Sequence, residues 1–186
     1  MQQDITTIID SLELLPINKI ESFDSFSNEF EEYGTFLIED ARKYEILNIS
    51  RTHLLIDTLN ANILAYMTLV TDSVQLTKSE KEVLKLGLIP FSSFPALKIG
   101  KLAVDQAAKM KYNGIGTLMV RLARGFALNL NGNGIACRFL TIDADVEHNP
   151  NVTEFYTKCG FTPNEKLSNK KRLTISMRMD IFMSSD

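Results

Sequence analysis

Seven apolar residues, Ile115, Leu118, Met119, Leu122, Ala123, Phe126 and Leu130, recur at steps of mostly three or four between Gly114 and Leu130. That spacing puts them on one stripe of a helix, which must be buried to hold the helix in place. Shortly before it, Leu97 to Val104 is apolar at both parities, as in a strand covered on both faces. A buried central strand followed by the strongest helix of the chain therefore sets the frame.

Other segments extend that frame. Ser25 to Leu47 places Phe30, Tyr33, Phe36, Leu37, Ala41, Tyr44 and Leu47 at helical spacing, with Gly34 expected to break the helix in two. Thr52 to Thr58 and Asn62 to Thr71 read as an antiparallel hairpin and the first pair of a sheet. Lys78 to Leu88 reads as a short helix or a loop with helical character, stopped by Gly87 and Pro90, with a loop from Pro90 to Pro95. Arg138 to Ala144 is expected as a strand, Asn151 to Cys159 as a helix ended by Gly160, and Arg172 to Ile181 as a last strand. The order is strand, helix, strand, helix, strand after an N-terminal helix and hairpin. No repeat or linker interrupts it, so residues 1–186 are expected to form one domain.

Charge and composition narrow the function classes. With 45% hydrophobic and 23% charged residues, the chain is suited to a packed core, and a disordered or fibrous chain is excluded. No run approaches the roughly 20 apolar residues of a membrane span, and Met1 to Asp10 lacks a signal-peptide layout, so a cytoplasmic protein is expected. Cys137 and Cys159 are too few for a disulfide framework and are expected to be reduced and buried. No metal-ligand spacing occurs. Residues 1–50 hold 11 acids and 3 bases, net −8, whereas 51–186 hold 12 acids and 17 bases, net +5. The C-terminal part can thus attract an anion, although scattered surface bases do the same without a ligand.

Lys111-Tyr112-Asn113-Gly114-Ile115-Gly116-Thr117 stands between the central strand and the long helix, where helix N–H groups and the helix dipole can meet a phosphate. A P-loop would need Lys after Gly116, and a dinucleotide fingerprint a third glycine and an acid about 20 residues on. Position 119 is Met and no acid lies between Asp105 and Asp143. By itself the segment reads either as a phosphate loop or as a plain glycine-containing helix start.

Its surroundings resemble the GNAT superfamily of N-acetyltransferases. The loop is similar to that superfamily's Arg/Gln-x-x-Gly-x-Gly/Ala pyrophosphate loop, with Lys111 in place of Arg or Gln. Lys101-Leu102-Ala103-Val104-Asp105 looks like the end of its fourth strand. Asn149-Pro150-Asn151 through Phe155-Tyr156 to Gly160-Phe161 resembles its later signature. The match runs from about Ala96 to Pro163, the expected cofactor-binding core. A fainter likeness, over Phe36-Leu37 to Tyr44 and Ile49-Ser50-Arg51-Thr52, is to the acetyltransferase toxins of toxin-antitoxin pairs, which act on aminoacyl-tRNA.

The resemblance implies an α/β fold with a mixed, mostly antiparallel sheet, flanked by helices and splayed between the fourth and fifth strands. It implies acetyl-CoA as donor cosubstrate, no metal, and direct transfer of the acetyl group to a primary amine of an unidentified acceptor. Leu102, Ala103 and Val104 would pair with the pantetheine arm, a backbone N–H near Val104 acting on the thioester carbonyl. Lys111, Tyr112, Asn113, Gly114, Ile115, Gly116 and Thr117 would hold the pyrophosphate. Asn149 would bond the pantetheine amides or simply form a turn or cap. Tyr156 matches the tyrosine that faces the CoA sulfur, and a phenol of reference pKa about 10 can protonate a leaving thiolate.

Asp72, Asp143, Asp145 and Glu147 are the acids considered for a base, each of them also an ordinary turn, cap or surface residue. His53, inside a strand run, and His148, in a loop with no partner evident, are given no catalytic role. Phe91, Phe94, Tyr33, Phe36 and Tyr66 are expected mostly in the core, and Phe155 with them. The alternative acceptor is aminoacyl-tRNA, against which the acidic first 50 residues speak, and the alternative class is a non-catalytic CoA-binding regulatory domain. No membrane association is expected, and a homodimer is the superfamily prior.

Overall fold

The fold is described from a computed structural model over residues 2–23, 26–164 and 173–183. Ser25 and Arg172, where two expected elements begin, lie outside these residues. Seven strands hydrogen-bond in the order β2-β3-β4-β5-β7-β9-β8. They are β2 (Leu12–Pro16), β3 (Arg51–Asp57), β4 (Asn62–Gln75), β5 (Ser93–Val104), β7 (Phe139–Asp145), β8 (Thr162–Pro163) and β9 (Thr174–Asp180). The pair β5–β7 is parallel, and β2–β3, β3–β4, β7–β9 and β8–β9 are antiparallel. The expected mixed, mostly antiparallel sheet is present. By compactness the chain divides into two units, residues 1–70 with 100–122 and residues 71–99 with 123–186.

In the first unit β3 and β4 form the expected hairpin, in register from Arg51–Leu69 to Asp57–Asn62 with a bulge at Leu55/Ile56. It is not the first pair of the sheet, because β2 precedes it and pairs Leu12–Pro16 with Asp57–His53. Its loop turns through Ala61 at φ +52, a left-handed position. The expected helix from Ser25 starts later, as α1 (Glu31–Thr35), a π-helical turn (Phe36–Asp40) and α2 (Ala41–Ile46). Gly34 does not break it; the irregularity is the π turn at 36–40. Phe36, Leu37 and Ala41 pack on Ile17, Phe23, Phe26, Leu54, Ile56, Ile63, Tyr66 and Ala103 to form this unit's core. Tyr44 and Leu47 of the expected stripe are instead 38% and 66% exposed, because the extra π-turn residue rotates the last turn off the apolar face.

In the second unit Val74, Leu76, Phe94, Ala96 and Phe139 form a core cluster. The helix α3 (Lys78–Val83) begins at a capping box, in which the Thr77 hydroxyl accepts the Glu80 N–H and the Glu80 carboxylate accepts the Thr77 N–H. Glu80 is buried and also takes Arg178 of β9 at 2.6 Å, an ion pair in which both side chains are under 10% exposed. β5 starts at Ser93, within the expected loop, since Phe94 is buried against Phe139. The edge strand β8 was too short for any periodicity to announce.

Among the described residues no helix is long and apolar enough to cross a membrane. Cys137 is buried, its thiol pushed up by that burial, while Cys159 is only half-buried, contrary to expectation, because it ends α6 (Val152–Lys158).

Candidate functional site

The expected cofactor residues Leu102 to Thr117 all fall in the first unit. β5 is paired with β7 only from Ala96–Phe139 to Ile99–Ile142, and β5 runs on to Val104. At the residue after the last of these pairs a glycine meets a hydroxyl. The Thr68 Oγ1 accepts the Lys101 N–H at 2.8 Å, and a Cβ on Gly100 would come within 2.8 Å of the same oxygen. The Asp105 N–H donates to the Leu64 carbonyl at 2.9 Å. Lys101 and Asp105 thus direct their N–H groups at β4, and alternation along a strand turns those of Leu102 and Val104 to the opposite edge. Ala103 is buried, and Leu102 and Val104 are half-buried.

The end of β5 is tied down by Ser27 and Asn28, which the sequence pattern places in the expected helix from Ser25 and which instead precede α1. Asn28 Nδ2 donates to the Val104 carbonyl at 2.8 Å, and Ser27 N–H donates to Asp105 Oδ2 at 2.9 Å. Asp105 Oδ1 caps the next helix, α4 (Gln106–Lys111), by accepting the Ala108 N–H. This helix is unanticipated and shortens the expected loop, since Lys111 is its last residue.

Tyr112–Asn113 forms a two-residue strand, β6, paired in parallel with β1 (Gln3–Asp4). Gly114 follows at φ +82, a left-handed conformation that costs a side-chain-bearing residue about 1–2 kcal/mol. A Cβ there would also lie 3.3 Å from Ile5 Cγ2, so the N-terminal segment packs directly beneath the turn. The 18-residue helix α5 (Ile115–Gly132) then starts. The first N–H groups of a helix have no intrahelical acceptor, so those of Ile115, Gly116 and Thr117 point out of its positive end. Leu118 already donates to the Gly114 carbonyl. Tyr112 and Ile115 are buried; Lys111, Asn113 and Gly114 are exposed. The Lys111 ammonium lies 4.9 Å from the Tyr112 ring centroid, and its pKa is held above the ordinary value by the Tyr112 hydroxyl first, with Asp57 contributing. Fully solvated and cationic, it suits a diphosphate.

Tyr66 and Phe36 belong to the core of this unit, as expected, and Tyr33 is half-buried. The Tyr66 hydroxyl donates to the Tyr33 carbonyl at 2.8 Å, and burial pushes its pKa well above the phenol range. Lys101 Nζ sits 5.0 and 5.1 Å from the Tyr33 and Phe36 ring centroids, a cation on two aromatic faces. His53 is half-buried on β3 and its pKa is lowered, chiefly by burial.

Asn149 and Tyr156 fall in the second unit, after β7. The exposed Asn149 uses Oδ1 to accept the Asn151 N–H at 3.1 Å, which makes it a turn former and leaves donation through Nδ2 as its offer to a ligand. Its carbonyl accepts the Val152 N–H at the start of α6. Tyr156, in the middle of α6, is 5% exposed and meets the Phe155 and Phe161 rings edge-on at 4.9 and 5.5 Å. Gly160 at φ +95 turns the chain so that Phe161 N–H reaches the Tyr156 carbonyl, and Phe161 is buried against the same ring. Phe155 is half-buried rather than core. Phe94 is buried as expected, whereas Phe91 is 57% exposed.

Each aspartate considered as a base has a partner. Asp72 accepts the Thr141 hydroxyl at 2.6 Å and Asp143 pairs with Lys98 at 2.5 Å. Asp145 faces His148, Oδ2 to Nδ1 at 2.8 Å, and also accepts the His148 N–H at 3.2 Å. His148 therefore does have a partner, three residues back in the chain.

No family model matches the chain, and no curated protein matches its sequence. Solved structures do match. One described as a bacterial toxin superposes with a TM-score of 0.72 at 17% identity, covering 91% of this chain and 90% of its own. AtaT complexed with acetyl-methionyl-tRNAfMet gives 0.68 at 21%, over 89% and 93% of the two chains. AtaTR bound with AcCoA gives 0.67 at 20%, over 90% and 94%. The fold is of the GNAT type. A GNAT-type fold accounts for a parallel β5–β7 pair inside an otherwise antiparallel set, and for the loop and long helix that follow β5. The fainter likeness seen in the N-terminal half agrees with these neighbours, which are toxins by name in the first case.

Proposed function

We propose that the protein is an acetyl-CoA-dependent N-acetyltransferase whose acceptor is the α-amine of an aminoacyl-tRNA. The observation that carries this reading is the turn at Gly114, with φ +82 and no side chain, opening an 18-residue helix directly after a lysine. That is an anion cradle with a fixed cation at its entrance. Support for the donor and acceptor comes from the shared fold, which covers about nine-tenths of AtaT structures holding AcCoA and acetyl-methionyl-tRNA.

In this reading Lys111 and the N–H groups of Ile115, Gly116 and Thr117 hold the pyrophosphate. Tyr112 and Asn113 fix the loop through β1, and Gly114 keeps it open. The N–H groups of Leu102 and Val104 serve the pantetheine arm and the thioester carbonyl, with Ala103 anchoring the strand in the core. Asn149 Nδ2 donates to a pantetheine carbonyl. Acetyl-CoA, when bound, supplies the acetyl thioester, and the amine attacks it directly. Tyr156, protonated at neutral pH, gives its proton to the departing thiolate. KacT, at TM-score 0.65 and 20% identity, and AtaT have each been solved as a tyrosine-to-phenylalanine mutant, which supports a tyrosine in that part. The net +5 of residues 51–186 favours a polyanionic acceptor, against the net −8 of residues 1–50.

The test is CoA release from acetyl-CoA with methionyl-tRNA, a free peptide amine or a polyamine. Release dependent on methionyl-tRNA, weakening as salt rises, is the expected result. Release with the peptide or polyamine alone would replace the acceptor, and no protection against thermal unfolding by acetyl-CoA would overturn the donor.

A further inference from the structure

We propose that residues 2–5 are a positioning element of the donor site: they hold the loop 111–117 in the shape that receives a diphosphate, so that docking of this segment and binding of acetyl-CoA strengthen each other. The inference rests on the donor half of the reading above and is independent of the acceptor.

Three contacts, all within the first unit, join the segment to the loop and its flank. The Gln2 side-chain amide donates to the carbonyl of Lys109, in the last turn of α4, at 2.6 Å. Gln3 and Asp4 pair in parallel with Tyr112 and Asn113. Ile5 is 3% exposed, and its Cγ2 lies 3.3 Å from where a Cβ on Gly114 would stand. The far end is anchored as well. A 3₁₀ segment, Ile5–Ser11, finishes with the Ser11 carbonyl accepting the Thr58 N–H at 2.8 Å, in the turn of the β3–β4 hairpin. The N-terminal chain therefore runs under the loop from α4 to that hairpin.

Local chemistry fixes the shape of the segment itself. Asp4 Oδ1 accepts the Thr6 N–H and the Thr6 hydroxyl, at 2.9 and 2.6 Å, and the Asp4 carbonyl accepts the Thr7 hydroxyl at 2.8 Å. The chain turns directly after β1, which leaves Gln3 and Asp4 exposed and sends Ile5 inward. An exposed strand of two residues buries little apolar surface, so its effect falls on what it pairs with. Among the described residues β1 is the one strand paired with β6. On the other side of β6 stands the positive φ of Gly114, and then the helix start whose free N–H groups the reading assigns to the diphosphate. Ordering a backbone costs conformational entropy, and a loop already held by β1 does not lose that freedom when the donor binds. Coupling of this kind is reciprocal: what the ligand gains from an ordered segment, the segment gains from the ligand.

The first test compares acetyl-CoA affinity by calorimetry, and Tm without ligand, for wild type, a variant without residues 2–4, and Tyr66→Phe. Removing two exposed strand residues and Gln2 is expected to weaken acetyl-CoA about tenfold or more, equivalent to about 1.4 kcal/mol. Tyr66→Phe weakens the same unit through its bond to the Tyr33 carbonyl, and should lower Tm while leaving acetyl-CoA affinity within about twofold. Affinity in the shortened variant equal to wild type would overturn the proposal. So would an equal loss in Tyr66→Phe, since general loosening of the unit would then explain both. The second test uses the unaltered chain. Amide exchange followed residue by residue with NMR should slow about fivefold or more at Gln3, Asp4 and Ile5 when acetyl-CoA is added, because an exposed strand opens locally and its protection reports the coupling. Exchange there unchanged by saturating acetyl-CoA would overturn the proposal equally. Failure of acetyl-CoA to bind wild type would strike the functional reading instead, so the two failures are distinguishable.

Discussion

Replacing Gly114 by alanine separates backbone strain from chemistry at the loop. The residue is at φ +82, where a side chain costs about 1–2 kcal/mol. The new Cβ would meet Ile5 Cγ2 at 3.3 Å, which requires a shift of a few tenths of an ångström in the segment under the loop. Reduced freedom of the unfolded chain returns about 0.5 kcal/mol. The net expectation is about 1–1.5 kcal/mol of destabilisation, or roughly 3–5 °C in Tm for a chain of this size. Acetyl-CoA affinity should fall by about tenfold or more, since displacing even one charge-assisted N–H contact costs about 1.5–3 kcal/mol. Urea denaturation and calorimetry measure the two quantities. Gly114→Asn should be milder in stability, because Asn tolerates positive φ, and Ile5→Ala should relieve the steric part alone. Stability of Gly114→Ala within 0.3 kcal/mol of wild type would refute the argument from φ and close approach.

Tyr156→Phe should lower kcat with methionyl-tRNA while leaving acetyl-CoA affinity within about twofold, and equal kcat across pH would remove it as the acid. Arg178→Met leaves the Glu80 carboxylate buried without its ion partner and should cost about 3–5 kcal/mol in urea denaturation, far more than an exposed pair such as Lys43–Asp40. Tyr66→Phe should cost about 1 kcal/mol at pH 7 through the lost bond to the Tyr33 carbonyl. Because the folded Tyr66 pKa is raised, its stabilising share is complete below pH 10 and is lost as pH climbs above the unfolded phenol value. Denaturation at pH 8 and 10.5 should therefore show a drop in wild type that Tyr66→Phe lacks.

Much of the sheet and the long helix was legible because both are periodic. The β3–β4 hairpin falls within a residue of its expected start, and the run from Ile115 buries Met119 and Ala123 as its stripe requires. Helix α4 and the two-residue strands were not legible, since two residues carry no period and α4 follows directly on the strand pattern that ends at Val104. Asp105 did carry a signal, an N-cap residue three before Ala108, and it went unread because the strand ending there dominated the pattern. The spacing of Asp145 and His148 was equally visible, but only a particular turn after β7 brings carboxylate and imidazole to 2.8 Å.

The local chemistry, then, was set by the residues themselves: a glycine that can take positive φ, a lysine before it, a helix with one apolar stripe, and a tyrosine ahead of Gly160-Phe161. These depend on side-chain type and short-range spacing, which the chain order specifies directly. Tertiary structure decided what depends on residues far apart in the chain. Ile5 lies under Gly114, Asn28 and Ser27 hold the end of β5, and Thr68 reaches into the space that Gly100 leaves. Such contacts are chosen by which surfaces can be buried together once strands have paired, and no local window contains that information.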